Sequence, residues 1–503
     1  MPAFSPPARL DHRKKKFLAA AILIVTVVFV ATTLLVRHFW PFAESSIKSR
    51  LARSTSAHVH FGRFHEKYFP PGCVAENVVF ERNGHNVIAI QRLTIRSGLL
   101  GLFRHHVSVL RAEGARIVLT KSDVAAARSS DDQTTLDQLI ADGAVLEVTH
   151  GQQRPPLRFI FHRFRLQNLG GSGTTKFSAV FENPLPQGLV RTSGQFGPWN
   201  SSGAAATQVS GEYSLENADL GVFHGIGGRI TSKGSFKGTF RQMEVEGSTA
   251  APQFEVTSTQ HSLPLYTQFS AFVNATNGET VLRDIKAKFG HDEIDARGSV
   301  AGGPDGKRAA TIDLACARGR IEDTFYPFIS SPRSPVTGDV EFHLQVVIAP
   351  GNQRFVQKIK LASDFRILNA AFTNARTESR MNQMAEAPHQ KEPLEARDTQ
   401  MQGQVRLSNG VAHLSNFYVR DGGASAQLQG SYNLVDERVN MHGKLTTEAS
   451  LSKTTSGIKA AFAKALEPIF KKHGHEKVVP VKISGTYKRP SFGLDFSSNS
   501  SKM

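Results

Sequence analysis

The chain has 503 residues, of which 40% are hydrophobic and 20% charged; this balance excludes a disordered protein, and the length exceeds one ordinary core. The formal net charge is +17, from 60 Lys and Arg against 43 Asp and Glu. Such an excess fits nucleic acid, an anionic membrane surface or a generally basic proteome. Because the basic residues are spread along the chain without a recognition motif, we expect no nucleic-acid partner.

The N-terminal segment predicts a membrane anchor. Residues 17–36 read FLAAAILIVTVVFVATTLLV and carry no charge. At about 1.5 Å rise per residue they span roughly 30 Å, the thickness of a bilayer core. Five basic residues precede the run, so the tail 1–16 is expected in the cytoplasm and the body on the far side. The anchor residues are Phe17, Leu23, Val28, Leu35 and, at the far interface, Trp40.

A cleaved signal peptide is the alternative for this segment. Its apolar region is about 7–15 residues long and ends in a site of small residues. The run here is longer, and the bulky side chains of Phe29, Leu34 and Leu35 crowd its end. These two features favour an anchor that is retained.

The body that follows is expected to be mainly β. A short helix is expected over residues 42–53, and alternation of apolar and polar residues dominates after it. Turn signals such as Asn277-Gly278 and Asn409-Gly410 recur between the alternating runs. The pattern predicts a long antiparallel meander with one apolar and one polar face.

An internal echo suggests repetition within the body. The 24 residues from Asn277 align without gaps to those from Asn409, with the pairs Leu282 and Leu414 and Gly298 and Gly430 coinciding. Chance is the alternative, because turn-rich β sequences resemble one another. Real repetition of one supersecondary unit would predict an extended stack.

Two stretches interrupt the alternation. Residues 376–400 are polar and predict a loop or linker, whereas residues 457–473 place their apolar residues on one helical face. This amphipathic helix either packs over the end of the sheet or lies in a membrane interface or closes a groove. The apolar face of the helix is formed by Ile458, Phe462, Leu466, Ile469 and Phe470.

The sequence contains no catalytic constellation, cofactor motif or metal pattern that we would defend. Cys73 and Cys316 could form one disulfide in an oxidising compartment, but two unpaired buried thiols are favoured, since pairing requires proximity. We therefore expect no catalytic residues, no cofactor and no metal, and we do not expect an enzyme.

Several segments together resemble the AsmA-like family of bacterial envelope proteins. The matching stretches are the anchor, PPGCVAENVVFERNG (70–84), LTIRSGLLGLFRHHVSVLRAEGARIVL (93–119), GQVRLSNGVAHLSN (403–416) and VPVKISGTYKRPSFGLD (479–495). The resemblance covers most of residues 1–496. Its motifs are structural, so it specifies fold and setting better than activity. The polar stretch 376–400 matches least.

The resemblance implies a single-pass inner-membrane protein with an elongated, repeating antiparallel β-groove in the periplasm and a few short helices. It divides the chain into an N-terminal β module (37–200), a central β-rich region (201–375), the linker 376–400 and a C-terminal β module (401–503). Family members are implicated in envelope lipid homeostasis and outer-membrane assembly. Larger relatives are thought to carry phospholipid between the two membranes.

The expected function is to bind or conduct phospholipid along an apolar groove. A scaffold or assembly factor for outer-membrane proteins is the alternative. The expected partners are an acyl-chain lipid, the inner membrane and, for the bridging form, the outer membrane or its assembly machinery. If the strands fold into compact sandwiches instead of one ribbon, no bridge is formed. The groove positions that alternation selects are Leu93, Ile95, Phe159, Phe161, Leu282 and Leu414.

Overall fold

The structure is a computed structural model. It describes residues 40–82, 85–98, 106–119, 135–149, 156–170, 173–198, 203–223, 225–302, 308–329, 333–334, 336–350, 353, 355–372, 399–421, 424–447, 478–486 and 489–495. The predicted tail 1–16, the anchor 17–36 and the amphipathic helix 457–473 lie outside these residues, as does nearly all of the linker 376–400. Within the described ranges, none of the helices combines the length and the apolar character needed to cross a membrane.

The mainly β character predicted from alternation is confirmed. The described residues form 27 strands, joined chiefly in antiparallel order, and a few short helices. The chain divides into two compact units. The first takes the described residues of 1–118, 130–144 and 167–171, and the second takes those of 119–129, 145–166 and 172–503. The division that the resemblance suggested near residue 200 falls inside the second unit.

The described residues of the first unit form the helix α1 (Glu44–Thr55) and the strands β1 to β7. Glu44 stands in the first turn of α1 and Arg53 in the last, which suits the helix dipole, and Ser56 ends the helix in the left-handed conformation. This helix confirms the one expected over residues 42–53. The strands are β1 (His58–His60), β2 (Arg63–Lys67), β3 (Gly72–Arg82), β4 (His85–Arg96), β5 (His106–Glu113), β6 (Arg116–Leu119) and β7 (Thr135–Asp142).

Strand pairing in the first unit creates one buried and one solvent-facing side. Strand β3 pairs antiparallel with β4, β4 with β5, and β5 runs parallel to β7. In the β3–β4 register Cys73 lies opposite Ile95 and Ala75 opposite Leu93, and all four side chains are buried. The core of the first unit therefore lies on this side of the sheet.

The second unit is an antiparallel ladder in which most strands pair with their neighbours in sequence. It has the short helices α2 (Ile321–Phe325) and α3 (Phe355–Lys358), and 3-10 turns at Ala204–Ala206, Leu220–Val222 and Tyr326–Phe328. Its strands are β8 (Ala144–Val148), β9 (Leu157–Leu169), β10 (Thr175–Pro184), β11 (Gln187–Phe196), β12 (Gln208–Asp219), β13 (Ile226–Gly227), β14 (Arg229–Thr239), β15 (Met243–Val256), β16 (His261–Val273), β17 (Thr280–Phe289), β18 (Asp292–Gly302), β19 (Arg308–Arg320), β20 (Val336–Ile348), β21 (Ile359–Phe372), β22 (Gln400–Ser408), β23 (Val411–Asp421), β24 (Ala424–Asn433), β25 (Arg438–Thr447), β26 (Val478–Thr486) and β27 (Arg489–Leu494).

The two similar sequence segments, which begin at Asn277 and Asn409, form equivalent hairpins in the structure. Strands β17 and β18 pair with a register shift between Leu282 and Ile285, and β23 and β24 pair with a shift between Leu414 and Phe417. These positions coincide in the sequence alignment. In both hairpins the leucine before the shift lies opposite a glycine, Gly298 or Gly430. A β-bulge at the same place in both hairpins is more than general turn-richness would produce.

Candidate functional site

The candidate site is the apolar face of the second unit, defined by the residues that the strand registers place on one side of the ladder. Residues that lie opposite each other on neighbouring strands point to the same side of the sheet. From β10 to β26 the apolar residues remain on this side, because after each register shift the pairing resumes with an apolar residue facing the same way. Representative members are Phe177, Phe181, Val190, Phe196, Val209, Tyr213, Phe236, Val245, Phe269, Leu282, Ile285, Ile294, Ile312, Leu314, Phe342, Leu344, Leu361, Phe365, Val405, Leu414, Phe417, Leu428, Met441 and Val481.

The opposite face of the same strands is polar. Its exposed side chains include Lys176, Arg191, Glu212, Lys233, Lys237, Glu246, Lys286, Lys288, Glu293, Arg297, Glu341, Arg366, Arg406 and Lys482. Several pair across strands, as in Lys237 Nζ to Glu244 Oε2 at 3.3 Å. This face therefore meets water, and the one-sided alternation predicted from the sequence is confirmed for the second unit.

The apolar face differs in accessibility along its length. From β20 to β26 it contains a closed core in which Val340, Met401 and Val481 are at most 2% exposed. From β10 to β19 the large members, such as Phe177 and Phe236, are only partly buried. Partly exposed aromatic rings in a row are unusual unless something covers them.

An aromatic strip, formed by Phe159, Phe161, Phe177, Phe181, Phe196, Phe236 and Phe240, follows this accessible part of the face. The rings of Phe161 and Phe181 are 5.0 Å apart between centroids. Those of Phe177 and Phe236 are 6.4 Å apart and stacked. The ring contacts form two groups: Phe159, Phe161 and Phe181 on β9 and β10, and Phe177, Phe196, Phe236 and Phe240 on β10, β11, β14 and the residue after β14.

Glycines beneath these rings leave space for the rings to pack against the backbone. Gly194 and Gly211 are paired across β11 and β12, and the ring of Phe177 lies over the first while that of Phe236 lies over the second. A Cβ at Gly194 would come within 2.1 Å of the carbonyl oxygen of Ser210 and 2.9 Å of Cζ of Phe177. Only glycine leaves the ring room to lie against the strand.

The six groove residues predicted from alternation lie in different structural environments. Phe159 and Phe161 join the aromatic strip, whereas Leu282 and Leu414 lie on the apolar face in the two copies of the repeated hairpin. Leu414 packs against the closed core. Leu93 and Ile95 belong to the first unit, and at 3% and 5% exposure they are core residues there.

Trp40 is the one predicted anchor residue that the structure describes. Its indole is 7% exposed and packs edge-on against Phe42 at 6.0 Å and beside Tyr68 at 4.9 Å between centroids. Phe17, Leu23, Val28 and Leu35 lie outside the described residues, and so do Ile458, Phe462, Leu466, Ile469 and Phe470.

Asp292 is a buried carboxylate at the margin of the apolar face. Its Oδ2 accepts from the Oγ1 hydroxyl of Thr324 at 2.8 Å, and its side chain is 0% exposed. Burial raises its pKa, and the nearby carboxylates of Asp323 and Glu322 add to the rise. These hydrogen bonds lie within the fold, so they favour a structural role.

Both cysteines are free and buried, as the sequence favoured. Burial raises the pKa of the Cys73 thiol to about 12, with a smaller contribution from the charge of Glu66. Burial likewise raises the pKa of Cys316 to about 11. Neither thiol is therefore poised as a nucleophile.

Sequence reasoning missed most of the aromatic strip and its glycines. The signal was available, because strands such as RTSGQF (191–196), GEYSL (211–215) and SKGSF (232–236) each place a glycine in the apolar phase of the alternation. A glycine in that phase indicates close approach of another group to the backbone. Which aromatic ring covers which glycine depends on cross-strand register, which no single strand contains.

No protein-family model, no curated protein and no solved structure matches the chain. The resemblance to the AsmA-like family therefore stays a prediction that depends on the sequence segments quoted above.

Proposed function

We propose that this protein binds acyl-chain lipid on the apolar face of its second unit and conducts it from strand to strand along the ladder. The observation that carries the proposal is the constant apolar phase of the paired strands from β10 to β26, together with the partial exposure of the aromatic strip. The proposal requires no catalytic residue and no cofactor.

The energetics favour an acyl chain as the occupant. Each methylene transferred from water onto an apolar surface contributes about 0.8 kcal/mol, so covering roughly ten methylenes contributes on the order of 8 kcal/mol. Aromatic rings packed over glycines offer a wide contact area with little side-chain entropy to lose. Charged side chains occur on the opposite face of these strands, where a lipid tail gains nothing.

The dimensions of the ladder suit transport over a distance. The accessible part of the apolar face spans nine strands from β10 to β19, with β13 left aside, and these strands pair one after another. At about 4.8 Å per strand this path is roughly 40 Å long. Lipid would move across the strands while its headgroup stays in solvent.

The setting proposed is the bacterial periplasm, with the anchor over residues 17–36 in the inner membrane and the tail in the cytoplasm. The sequence resemblance supports this setting, and the role proposed is in envelope lipid homeostasis. Deleting residues 1–40 behind an export signal should abolish function in cells, because the groove would lose its lipid source. Full activity of the secreted body would contradict the anchored form of the proposal.

Site-specific photo-crosslinking tests lipid binding directly. We expect p-benzoyl-phenylalanine in place of Phe177 or Phe236 in the full-length protein to form lipid adducts in cells, detected by mass spectrometry. The matched controls are the neighbouring positions Lys176 and Lys237, which are exposed on the polar face. Equal labelling of both faces, or no lipid adduct at Phe177 and Phe236, would rule the proposal out.

A scaffold for outer-membrane protein assembly is the second candidate. Strand β27 pairs with β26, and within the described residues no strand pairs with its other edge. An unpaired edge can add a strand from another protein. Protein adducts at Arg489 or Ser491 without lipid adducts on the apolar face would favour this candidate.

A further inference from the structure

The first unit contains a cavity of about 640 Å³ on the solvent-facing side of its sheet. This is the side opposite Leu93 and Ile95. Among the described residues, the cavity is lined by strands β2, β3, β4, β5 and β7. Four of these lining residues are cations, Lys67, Arg92, Arg96 and Arg111, and the one described carboxylate in the lining is Glu113.

Strand register places the cations around a small, uncharged floor. Val74 lies opposite Thr94 across β3 and β4, and Arg111 lies opposite Thr94 on β5. Arg92 and Arg96 stand two residues to either side of Thr94 on the same face. The imidazole of His65 borders the floor from β2, opposite Val74.

One end of the cavity is neutralised by carboxylates. The guanidinium of Arg92 is 3.0 Å from Oε1 of Glu76, and Oε2 of the same carboxylate is 3.9 Å from Arg63. Arg111 is 3.9 Å from Oε1 of Glu113. An anion entering at this end would compete with carboxylates that are already in place.

The other end has cations without a carboxylate. Lys67 lies opposite Gly72 on β3, and Gly72 lies opposite Arg96 on β4, so no side chain separates the two cations. Within the described part of the chain, neither Lys67 nor Arg96 forms an ion pair. Two adjacent uncompensated cations in a concave surface create a positive potential that an anion lowers.

We propose that this cavity, named here the basic cavity, binds a phosphate group through Lys67 and Arg96, with Arg111 and His65 at its border. Phosphate suits the site because the Arg96 guanidinium presents a planar fork to two oxygens and the Lys67 ammonium adds a point charge. The phosphate belongs to a lipid headgroup or to a small soluble ester. The proposal does not depend on the apolar face, because it concerns the other unit and a different chemistry.

Binding of phosphate probes to the full-length protein tests the proposal. The soluble arm uses glycerol phosphate, and the lipid arm uses phosphatidylglycerol in micelles of a neutral detergent. Arg96→Gln and Lys67→Gln should each weaken binding by roughly tenfold, the loss expected for one charge-assisted contact. Arg53→Gln is the control, because Arg53 is an exposed residue of α1 that does not line the cavity.

The outcomes separate the two sources of phosphate. Tight binding in both arms assigns a soluble ester as a sufficient ligand, and binding in the lipid arm alone assigns a lipid headgroup. Thr94→Glu, which puts a carboxylate on the floor, should also weaken binding if the variant keeps its circular dichroism spectrum. Absence of binding in both arms, or equal effects of Arg96→Gln and Arg53→Gln, would overturn the proposal whatever lipid does at the apolar face.

Discussion

The buried carboxylate of Asp292 accepts the backbone N–H of Arg320 at 2.6 Å. This bond joins the start of β18 to the residue at which β19 gives way to α2. The same carboxylate also accepts from Thr324. Gly319 keeps the approach open, because a Cβ there would be 3.1 Å from Oδ1 of Asp292 and 2.8 Å from Sγ of Cys316. Asp292 therefore ties the start of β18 to the end of β19, at the point where the chain turns into α2.

Truncating this carboxylate should destabilise the second unit. Asp292→Ala removes the acceptor of the part-buried Arg320 N–H, and an unsatisfied donor shielded from water costs about 1–3 kcal/mol. We expect a fall of that size in the free energy of unfolding, measured by urea denaturation followed by circular dichroism. Asp295→Ala is the control, since Asp295 lies on the same strand, β18, and is exposed on its polar face. Equal effects of the two substitutions would contradict the role assigned to Asp292.

The stability of the protein should depend on pH through the same residue, Asp292. Because burial raises the pKa of Asp292 when the chain is folded, the folded state binds the proton more tightly than the unfolded chain does. This group's contribution to stability is therefore present at low pH and is lost as the pH rises through the raised pKa. Asp292→Asn keeps an oxygen acceptor and removes the titration. Urea midpoints measured from about pH 4 to pH 7 should fall less in the variant, relative to its own value at pH 4, and parallel curves would refute the assignment.

The glycine beneath the aromatic strip should be intolerant of even one methyl group. Gly194→Ala puts a Cβ against the Ser210 carbonyl, so the strands or the ring of Phe177 must move. Overpacking of this kind costs about 1–3 kcal/mol. Gly173→Ala is the matched control, because a Cβ there meets nothing within 4 Å. The comparison is made by urea denaturation, and similar losses for both variants would show that Gly194 is not under packing constraint.

The sequence predicts the strands well because alternation is local. Period alone selects Phe159 and Phe161, and both lie in the aromatic strip. Leu93 and Ile95 show the same period, yet they are buried in the core of the first unit. Alternation shows that a residue faces the apolar side, but whether that side is closed depends on what the rest of the chain packs against it.

The basic cavity illustrates the same limit for polar residues. Arg92 and Arg96 are ordinary solvent-phase residues of a strand, and Lys67 is distant from them in sequence. Their convergence follows from the pairing of β2, β3 and β4, in which Gly72 leaves a gap between Lys67 and Arg96. The amino-acid composition shows an excess of positive charge. It does not show where in the fold cations lie without a neighbouring carboxylate.

The two thiols should be inert in the folded protein. Burial raises the pKa of both Cys73 and Cys316, so neither carries an appreciable thiolate fraction at pH 8. Maleimide labelling of the native chain should therefore add no mass at either residue, whereas labelling in urea should modify both. Rapid modification of the native protein would mean that one thiol becomes exposed.

Charge introduced into the aromatic strip should separate lipid binding from folding. Phe236→Glu places a carboxylate among rings that are partly exposed, so the side chain can reach water without unfolding the strand. An acyl chain would have to desolvate that carboxylate, and we expect the lipid that co-purifies with the full-length protein to fall at least several-fold, measured by mass spectrometry of extracted lipid. Gln195→Glu places the same charge on the exposed polar face, opposite Lys176 and Ser210, and should leave the lipid content unchanged. If both variants keep the circular dichroism spectrum and the same lipid content as the parent, the apolar face is not where lipid binds.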